Sequence, residues 1–362
     1  MTPTDPISSA SAAVAGSANA GPPVPAPYPL TFEPLLFEKV WGGRKLADIG
    51  KTLPNPNGKY GECWELADMA TTSASGAGGG AARSLIARGA LKGSTLSEAM
   101  KLWGPRLLGT VQPLANGAFP ILIKYLDATE NLSVQAHPSP EFAVLNRGAH
   151  LKTESWFIMD VEPGAVIYKG IKYGVTKEHF EAHIENDRVV DDLIEIAAVP
   201  GTCHTLPSGT CHALGSGVVV AEVQTASDTT FRVYDWGRAG RQLHVREALE
   251  CIPFTPAPRG TRLVEPQACA RLATTDFYTI DHALAQEHDE LSIATGTGCT
   301  IVMLLSGRAR LDWPDGQGAM ERMEIQGGDT VLIPAEICGR TTLTAGTPAE
   351  GERISLLRIG VL

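Results

Sequence analysis

The chain has 362 residues, enough for two or three domains with real cores, and 43% of them are hydrophobic against 19% charged. A net charge of −10 argues against nucleic acid as a partner, and an anionic small substrate would need a local basic cluster to offset that field. The 38 Gly and 25 Pro favour a turn-rich β protein over a helix bundle.

Residues 1–27 are Ala, Ser, Pro and Gly with little to bury, the composition of a disordered tail. Order is expected from Tyr28 onward. Trp41-Gly42-Gly43-Arg44 reads as a turn, with Trp41 read either as a substrate-binding residue that stacks on its ligand or as core at the edge of a site. Gly61 to Leu66 reads as an alternating strand, and 71–82 as a flexible loop. Residues 83–109 carry helical spacing, with Ser94 and Ser97 as caps.

From Phe119 the pattern turns to β. Ile121 to Leu126 is an apolar strand with Lys124 inside it, and Leu132 to His137 is a second strand. A lysine in an apolar strand needs an anionic partner, so Lys124 is read either as a phosphate contact or as a structural ion pair. Ser133 is a second candidate phosphate contact. A short helix follows at 140–147, then strands at 154–159 and 165–168. The apolar positions Phe180, Ile184, Val189, Leu193 and Ile196 predict a helix or helix pair over 176–197. The histidines of that region, His179 and His183, read as solvated surface residues. Strands return at 198–212 and 217–224. Residues 253–263 read as a linker, and 264–362 as a second run of short, evenly spaced strands.

Two stretches share one pattern. Val199-Pro200-Gly201-Thr202 leads to Leu206-Pro207-Ser208-Gly209, and Gly327-Gly328-Asp329-Thr330 leads to Ile333-Pro334-Ala335-Glu336. This implies an internal repeat of two β-sandwiches, of which the first keeps His212 and the second has only Cys338 near the matching place.

The chemistry is concentrated in three strand pieces. Gln135 and His137 are two apart and project to one face; Lys152 and Glu154 repeat the spacing; His212 follows a Pro-x-Gly turn. One amide, two imidazoles and one carboxylate form a mixed N/O set suited to Zn²⁺ or a similar divalent ion, with room for substrate oxygens. Seven scattered Cys, the absence of Lys or Arg in residues 1–38 and the lack of a membrane-spanning apolar run point to a reducing cytoplasm. No membrane partner is expected, and the chain is expected to act as a monomer or weak homodimer.

The turn, the paired strand ligands and the duplicated pattern resemble the cupin jelly roll. More narrowly, residues 28–44 (YPLTFEPLLFEKVWGGR), 119–138 (FPILIKYLDATENLSVQAHP), 152–156 (KTESW) and 207–238 (PSGTCHALGSGVVVAEVQTASDTTFRVYDWGR) resemble type I mannose-6-phosphate isomerase in its short bacterial form. The resemblance implies a mainly β fold of two cupin-type jelly-roll sandwiches with small helical insertions near 83–109 and 176–197. It implies a metal-binding catalytic unit at 28–252 and a metal-free second unit at 264–362. It also implies one zinc ion per chain on Gln135, His137, Glu154 and His212, and a hexose 6-phosphate substrate isomerised through a cis-enediol. Arg232, Lys152, Glu222 and Asp228 fall on the family's active-site positions, with Lys152 and Glu222 as rival proton acceptors and a nearby cation lowering the Lys152 pKa. Asp228 reads equally as a turn cap. The family often has an acidic pair after His-Pro, whereas Ser139 and Pro140 stand here. A cupin-type oxygenase and a sugar-binding regulator without turnover are the competing readings.

Overall fold

A computed structural model describes residues 24–73, 80–146, 148–262, 269–347 and 353–362. Most of the tail, the centre of the 71–82 loop and the junction at 263–268 therefore lie outside the described residues. The fold is mainly β and of the cupin type, with few helices.

One sheet has seven strands, in the order Thr261–Arg262, Thr202–Leu206, Glu154–Val161, Val218–Thr225, Ile121–Ala128, Leu35–Gly43 and Tyr60–Leu66. A five-stranded sheet faces it, ordered Leu193–Ala197, Val166–Ile171, His212–Leu214, Val134–Ala136 and Phe231–Tyr234. Every pairing is antiparallel. The second sandwich has a six-stranded sheet that includes Thr300–Ser306, Ile354–Val361 and Tyr278–Ala285, and a four-stranded sheet built around Arg308–Pro314.

Strand alternation sorts the seven-stranded sheet into two faces. Ile123, Tyr125, Phe157, Ala221 and Val223 join one continuous core with Tyr278, Ile301, Leu357 and Ile359 of the second sandwich. The polar members of the same strands, Lys124, Glu154 and Glu222, then point into the first sandwich. The β pattern of the sequence thus puts the second unit behind the site, as a backing for the sheet that carries it. The chain start strengthens this union, because Leu30–Thr31 pairs with the strand Thr330–Ile333. The stretch expected to be a linker is likewise fastened: Thr261 and Arg262 pair with Cys203 and Thr202.

Several local expectations need correction. Trp41, Gly42 and Gly43 end the strand Leu35–Gly43 and do not form a turn. Gly61 makes room there, since a Cβ on it would come within 2.5 Å of the Trp41 ring. In the 83–109 segment only Leu96–Trp103 and Pro105–Leu108 are helical. Leu85 and Ile86 instead form isolated bridges with Thr95 and Phe32. The cap is neither Ser94 nor Ser97 but Thr95, which forms a reciprocal capping box with Glu98. In the 176–197 segment the helix covers Lys177–Glu185, a 3₁₀ turn covers Val189–Asp192, and Leu193–Ala197 is a strand. Leu193 and Ile196 kept a helical spacing, but hydrogen bonding to Val166–Ile171 decides their conformation.

Candidate metal centre and its pocket

The site forms where two cross-strand rows face each other inside the first sandwich. In the five-stranded sheet Lys169, His212, Gln135 and Arg232 lie side by side in register. In the seven-stranded sheet the row is His204, Trp156, Glu222, Lys124 and Trp64. Paired residues of an antiparallel sheet share a face, so both rows project inward together. Glu154 comes from the next row, and His137 lies two residues beyond Gln135.

His212 is delivered by the turn after Pro207, where Gly209 has φ +85 and a Cβ would strike the Cys251 carbonyl oxygen. The His212 Nδ1–H donates to Thr210 O at 2.8 Å, and the His137 Nδ1–H donates to Thr229 O at 2.9 Å. A carbonyl only accepts, so each imidazole carries its proton on Nδ1 and keeps the Nε2 lone pair for the interior. Both lone pairs face the Glu154 carboxylate: His212 Nε2 is 3.1 Å from Oε1 and His137 Nε2 is 3.4 Å from Oε2. Gln135 Nε2 is 3.3 Å from His212 Nε2.

The two imidazole–carboxylate approaches are contacts between acceptors and make sense around a cation, whereas the Gln135 contact sets an amide N–H against the His212 lone pair. Glu154 is fully buried, and its Oε1 has no hydrogen-bond partner among the described residues. The separations of 3.1, 3.3 and 3.4 Å are near the tetrahedral edge of roughly 3.3 Å set by metal–ligand bonds of about 2.0 Å. A half-turn of the Gln135 amide brings its oxygen to the same point, while Ser133 Oγ, now 3.1 Å from Oε1, can accept from the amide nitrogen instead. The donor set fits a divalent ion.

Lys152 adds a positive charge to the cluster. Its Nζ is 2.5 Å from Glu154 Oε2, 3.1 Å from His137 Nε2 and 3.8 Å from Glu222 Oε1. Burial alone would lower the Lys152 pKa, but Glu154 and Glu222 outweigh it and hold the ammonium above its ordinary value. Burial opposes the charge on Glu154, yet Lys152 and the two imidazoles hold its pKa well below the usual range. Burial, helped by Lys152, pushes His137 down to about 3.

In front of this cluster opens a pocket with about 620 Å³ of atom-free space, bordered by Gln135 and Lys152. Five cations line it: Lys39, Lys124, Lys152, Arg232 and Arg241. This is the local basic cluster that the acidic chain needed. Lys124 stands at the pocket wall within ion pairs: its Nζ is 3.5 Å from Glu222, 3.8 Å from Glu62 and 4.9 Å from the Trp64 ring centre. Glu222 Oε2 accepts from Trp156 Nε1 at 3.2 Å, while its buried Oε1 has no hydrogen bond among the described residues; burial raises its pKa despite Lys124 and Lys152.

Arg232 Nε donates to Ser133 Oγ at 3.2 Å and Nη1 donates to Gln242 O at 3.1 Å. Burial, with Arg241 beside it, lowers the Arg232 pKa to about 10. Ser133 is therefore a joint between Gln135 and Arg232. Asp228 accepts the Ser73 N–H at 2.8 and 2.9 Å, so it fastens a distant loop while lining the pocket. Trp41 is buried and lines the same wall. Sequence reasoning missed Lys39, Glu62 and Arg241. Glu62 was visible as the partner face of Trp64 in the Gly61 to Leu66 alternation, but its bonds to Lys39 (3.0 Å) and Lys124 depend on cross-strand register.

The cupin-type sandwich thus carries an interior N/O cluster that fits a divalent ion beneath a cationic pocket. Comparison with known proteins narrows this. Residues 30–160 match the model of the phosphomannose isomerase type I catalytic domain. The mannose-6-phosphate isomerase ManA of Bacillus subtilis is 36% identical over 255 residues, covering 68% of this chain and 75% of the relative. The putative mannose-6-phosphate isomerase YvyI of the same organism is 35% identical over 323 residues, covering 85% of this chain and 94% of the relative. The solved mannose 6-phosphate isomerase structure from B. subtilis superposes with a TM-score of 0.76 at 26% identity, over 92% of this chain and 99% of the other. The chain belongs to the type I phosphomannose isomerase family and is an isomerase of that type. No helix among the described residues is long and apolar enough to cross a membrane.

Proposed function

We propose that this enzyme interconverts mannose 6-phosphate and fructose 6-phosphate, with one zinc ion on Gln135, His137, Glu154 and His212 as its cofactor. The observation that carries the reading is the pair of Nε2 lone pairs aimed at the buried Glu154 carboxylate, directly under a five-cation pocket. When bound, a divalent ion supplies positive charge beside the two sugar oxygens that exchange carbonyl character.

The rest of the work belongs to side chains. Isomerisation removes the C2 proton of the open-chain aldose, protonates O1, and gives a cis-enediol; a proton then returns to C1 while O2 gives one up. Glu222 serves as the base. Its Oε1 is buried, unpartnered by hydrogen bonds and raised in pKa, the state that suits a carboxylate for taking and returning a proton. Lys152, across the pocket floor at 3.8 Å from Glu222, donates to the oxygen that becomes negative. Arg232 and Lys124 approach from the walls to hold charge on the enediol oxygens or phosphate. Asp228, at the pocket wall, holds the Ser73 N–H. The catalytic unit is residues 28–252, and 264–362 forms the metal-free second unit that backs its sheet. The seven cysteines are all unpaired, which supports a reducing, cytoplasmic setting.

The test is conversion of mannose 6-phosphate to fructose 6-phosphate, lost on chelation and in His137→Ala, and restored by zinc in the wild type. Full turnover by demetallated protein would reject the proposal.

A further inference from the structure

A second group of ligating atoms lies outside the pocket wall. His179 and His183 are four apart on the helix Lys177–Glu185, so they share a face, and their ring centres are 4.0 Å apart. The buried Asp192 meets them from the 3₁₀ turn Val189–Asp192. Its Oδ1 is 3.2 Å from His179 Nε2 and its Oδ2 is 3.0 Å from His183 Nδ1. The second contact does not have hydrogen-bond geometry. His183 Nδ1 and Asp192 Oδ2 are both buried polar atoms without a hydrogen-bond partner among the described residues. The three ligand atoms all lie within 4.8 Å of one another. Thr176 caps the helix by accepting the His179 N–H, and the Lys172 N–H fixes the Asp192 carbonyl at 2.8 Å, so both sides of the cluster are held in place.

We propose that His179, His183 and Asp192 bind a second divalent transition ion of the zinc, cobalt or nickel class. His-x₃-His on a helix with one carboxylate is a common arrangement for such ions, and two imidazoles with one oxygen exclude magnesium and calcium as preferred occupants. His179 is half exposed on its side chain and leaves one flank open to water, as a three-ligand site requires. The ion clamps the helix to the turn that leads into the edge strand Leu193–Ala197. It is structural, since none of its ligands lines the catalytic pocket.

The experiment is a metal count on intact protein loaded with excess zinc and desalted, beside an isomerase assay. Wild type should hold two zinc ions per chain, and the His179→Ala, His183→Ala double variant should hold one, with turnover unchanged. The His137→Ala, His212→Ala double variant should lose turnover and still hold one ion, which separates failure of this site from failure of the catalytic one. If replacing His183 prevents folding, His179→Gln, altered at its exposed ligand, should show the same loss. Equal zinc content in wild type and the helix variants overturns the proposal, whether that content is one ion or two.

Discussion

Glu222→Gln distinguishes the base from its neighbours while preserving shape. The Glu222 Oε1 faces Lys124 at 3.5 Å and Lys152 at 3.8 Å. At an effective dielectric constant of about 20 these distances give a gross attraction of roughly 4–5 kcal/mol each. Removing the carboxylate charge also removes its own burial cost, so the net loss should be about 3 kcal/mol, the lower end for breaking a buried ion pair. Melting should fall by several degrees without loss of the fold. Gln can still accept from Trp156 Nε1, which bonds Glu222 at 3.2 Å, so the indole need not move. Turnover should fall roughly 10²- to 10⁴-fold, the usual contribution of a positioned base, with KM nearly unchanged. The assay pairs initial rates with exchange of the sugar C2 proton into deuterated water. Exchange should fall in step with turnover. A Glu222→Gln enzyme that exchanges C2 at the wild-type rate, beside a Lys152→Met enzyme that does not exchange, would refute the assignment and make Lys152 the base.

Three further outcomes are expected. Ser133→Ala cuts the joint between Gln135 and Arg232 and should weaken metal binding roughly 10- to 100-fold as well as turnover; a competitive chelator titration reads this, and unchanged metal affinity would reduce Ser133 to a substrate contact. His282, buried in the second sandwich and bonded through Nε2 to Ser355 Oγ at 2.8 Å, is pushed by burial from 6.5 down to about 4. The unfolded chain therefore binds a proton that the native state refuses: the contribution is intact above about pH 6.5 and is lost as pH falls toward 4, up to about 3 kcal/mol in all. His282→Gln should flatten that part of a melting-versus-pH curve, and parallel curves for variant and wild type would contradict it. Thr95→Ala, which removes the capping-box hydroxyl, should cost about 1 kcal/mol in denaturant unfolding and leave turnover unchanged.

The ligand strands were legible because their information is local. Gln135, His137, Lys152 and Glu154 each announce a shared face by a spacing of two, and the Gly209 turn announces a break before His212. The pocket wall was less legible because it is written in register. That Lys124 stands beside Glu222, and Glu222 beside Trp156, follows from how strands slide into place, and a slip of one residue would turn each side chain to the other face. The same limit hid Lys39 and Glu62. The helical period over 176–197 failed for a related reason. Leu193 and Ile196 stand a helical step apart, but pairing with the strand Val166–Ile171, irregular between Leu193 and Glu195, decided their conformation. His183 was taken as solvated because its partner, Asp192, returns beside it only after the chain has passed through a 3₁₀ turn.

The charge arrangement also constrains how a phosphorylated sugar can enter. The pocket is cationic within a chain of net charge −10, yet its cations are largely spoken for. Lys39 and Lys124 share Glu62, whose pKa falls to about 2 because those two ammoniums outweigh the burial that would raise it. Arg241 leans on Asp235 at 3.0 Å, and Lys152 on Glu154. A phosphate dianion therefore does not meet a bare basic patch; it must draw on cations already balanced by carboxylates. Such a network sets a carboxylate beside Lys39, Lys124, Lys152 and Arg241 of the pocket wall. It also moderates long-range attraction, because each cation's field is partly cancelled at the distance of one Debye length, about 8 Å at physiological salt. Binding energy is then gained mainly at contact. The consequence is measurable: KM for mannose 6-phosphate should rise only modestly between low and physiological salt, whereas Glu62→Gln, which frees two ammoniums, should tighten phosphate binding and make it more sensitive to salt. Looser binding in Glu62→Gln would show that Glu62 holds the lysines in their working positions and does not compete with the substrate for them.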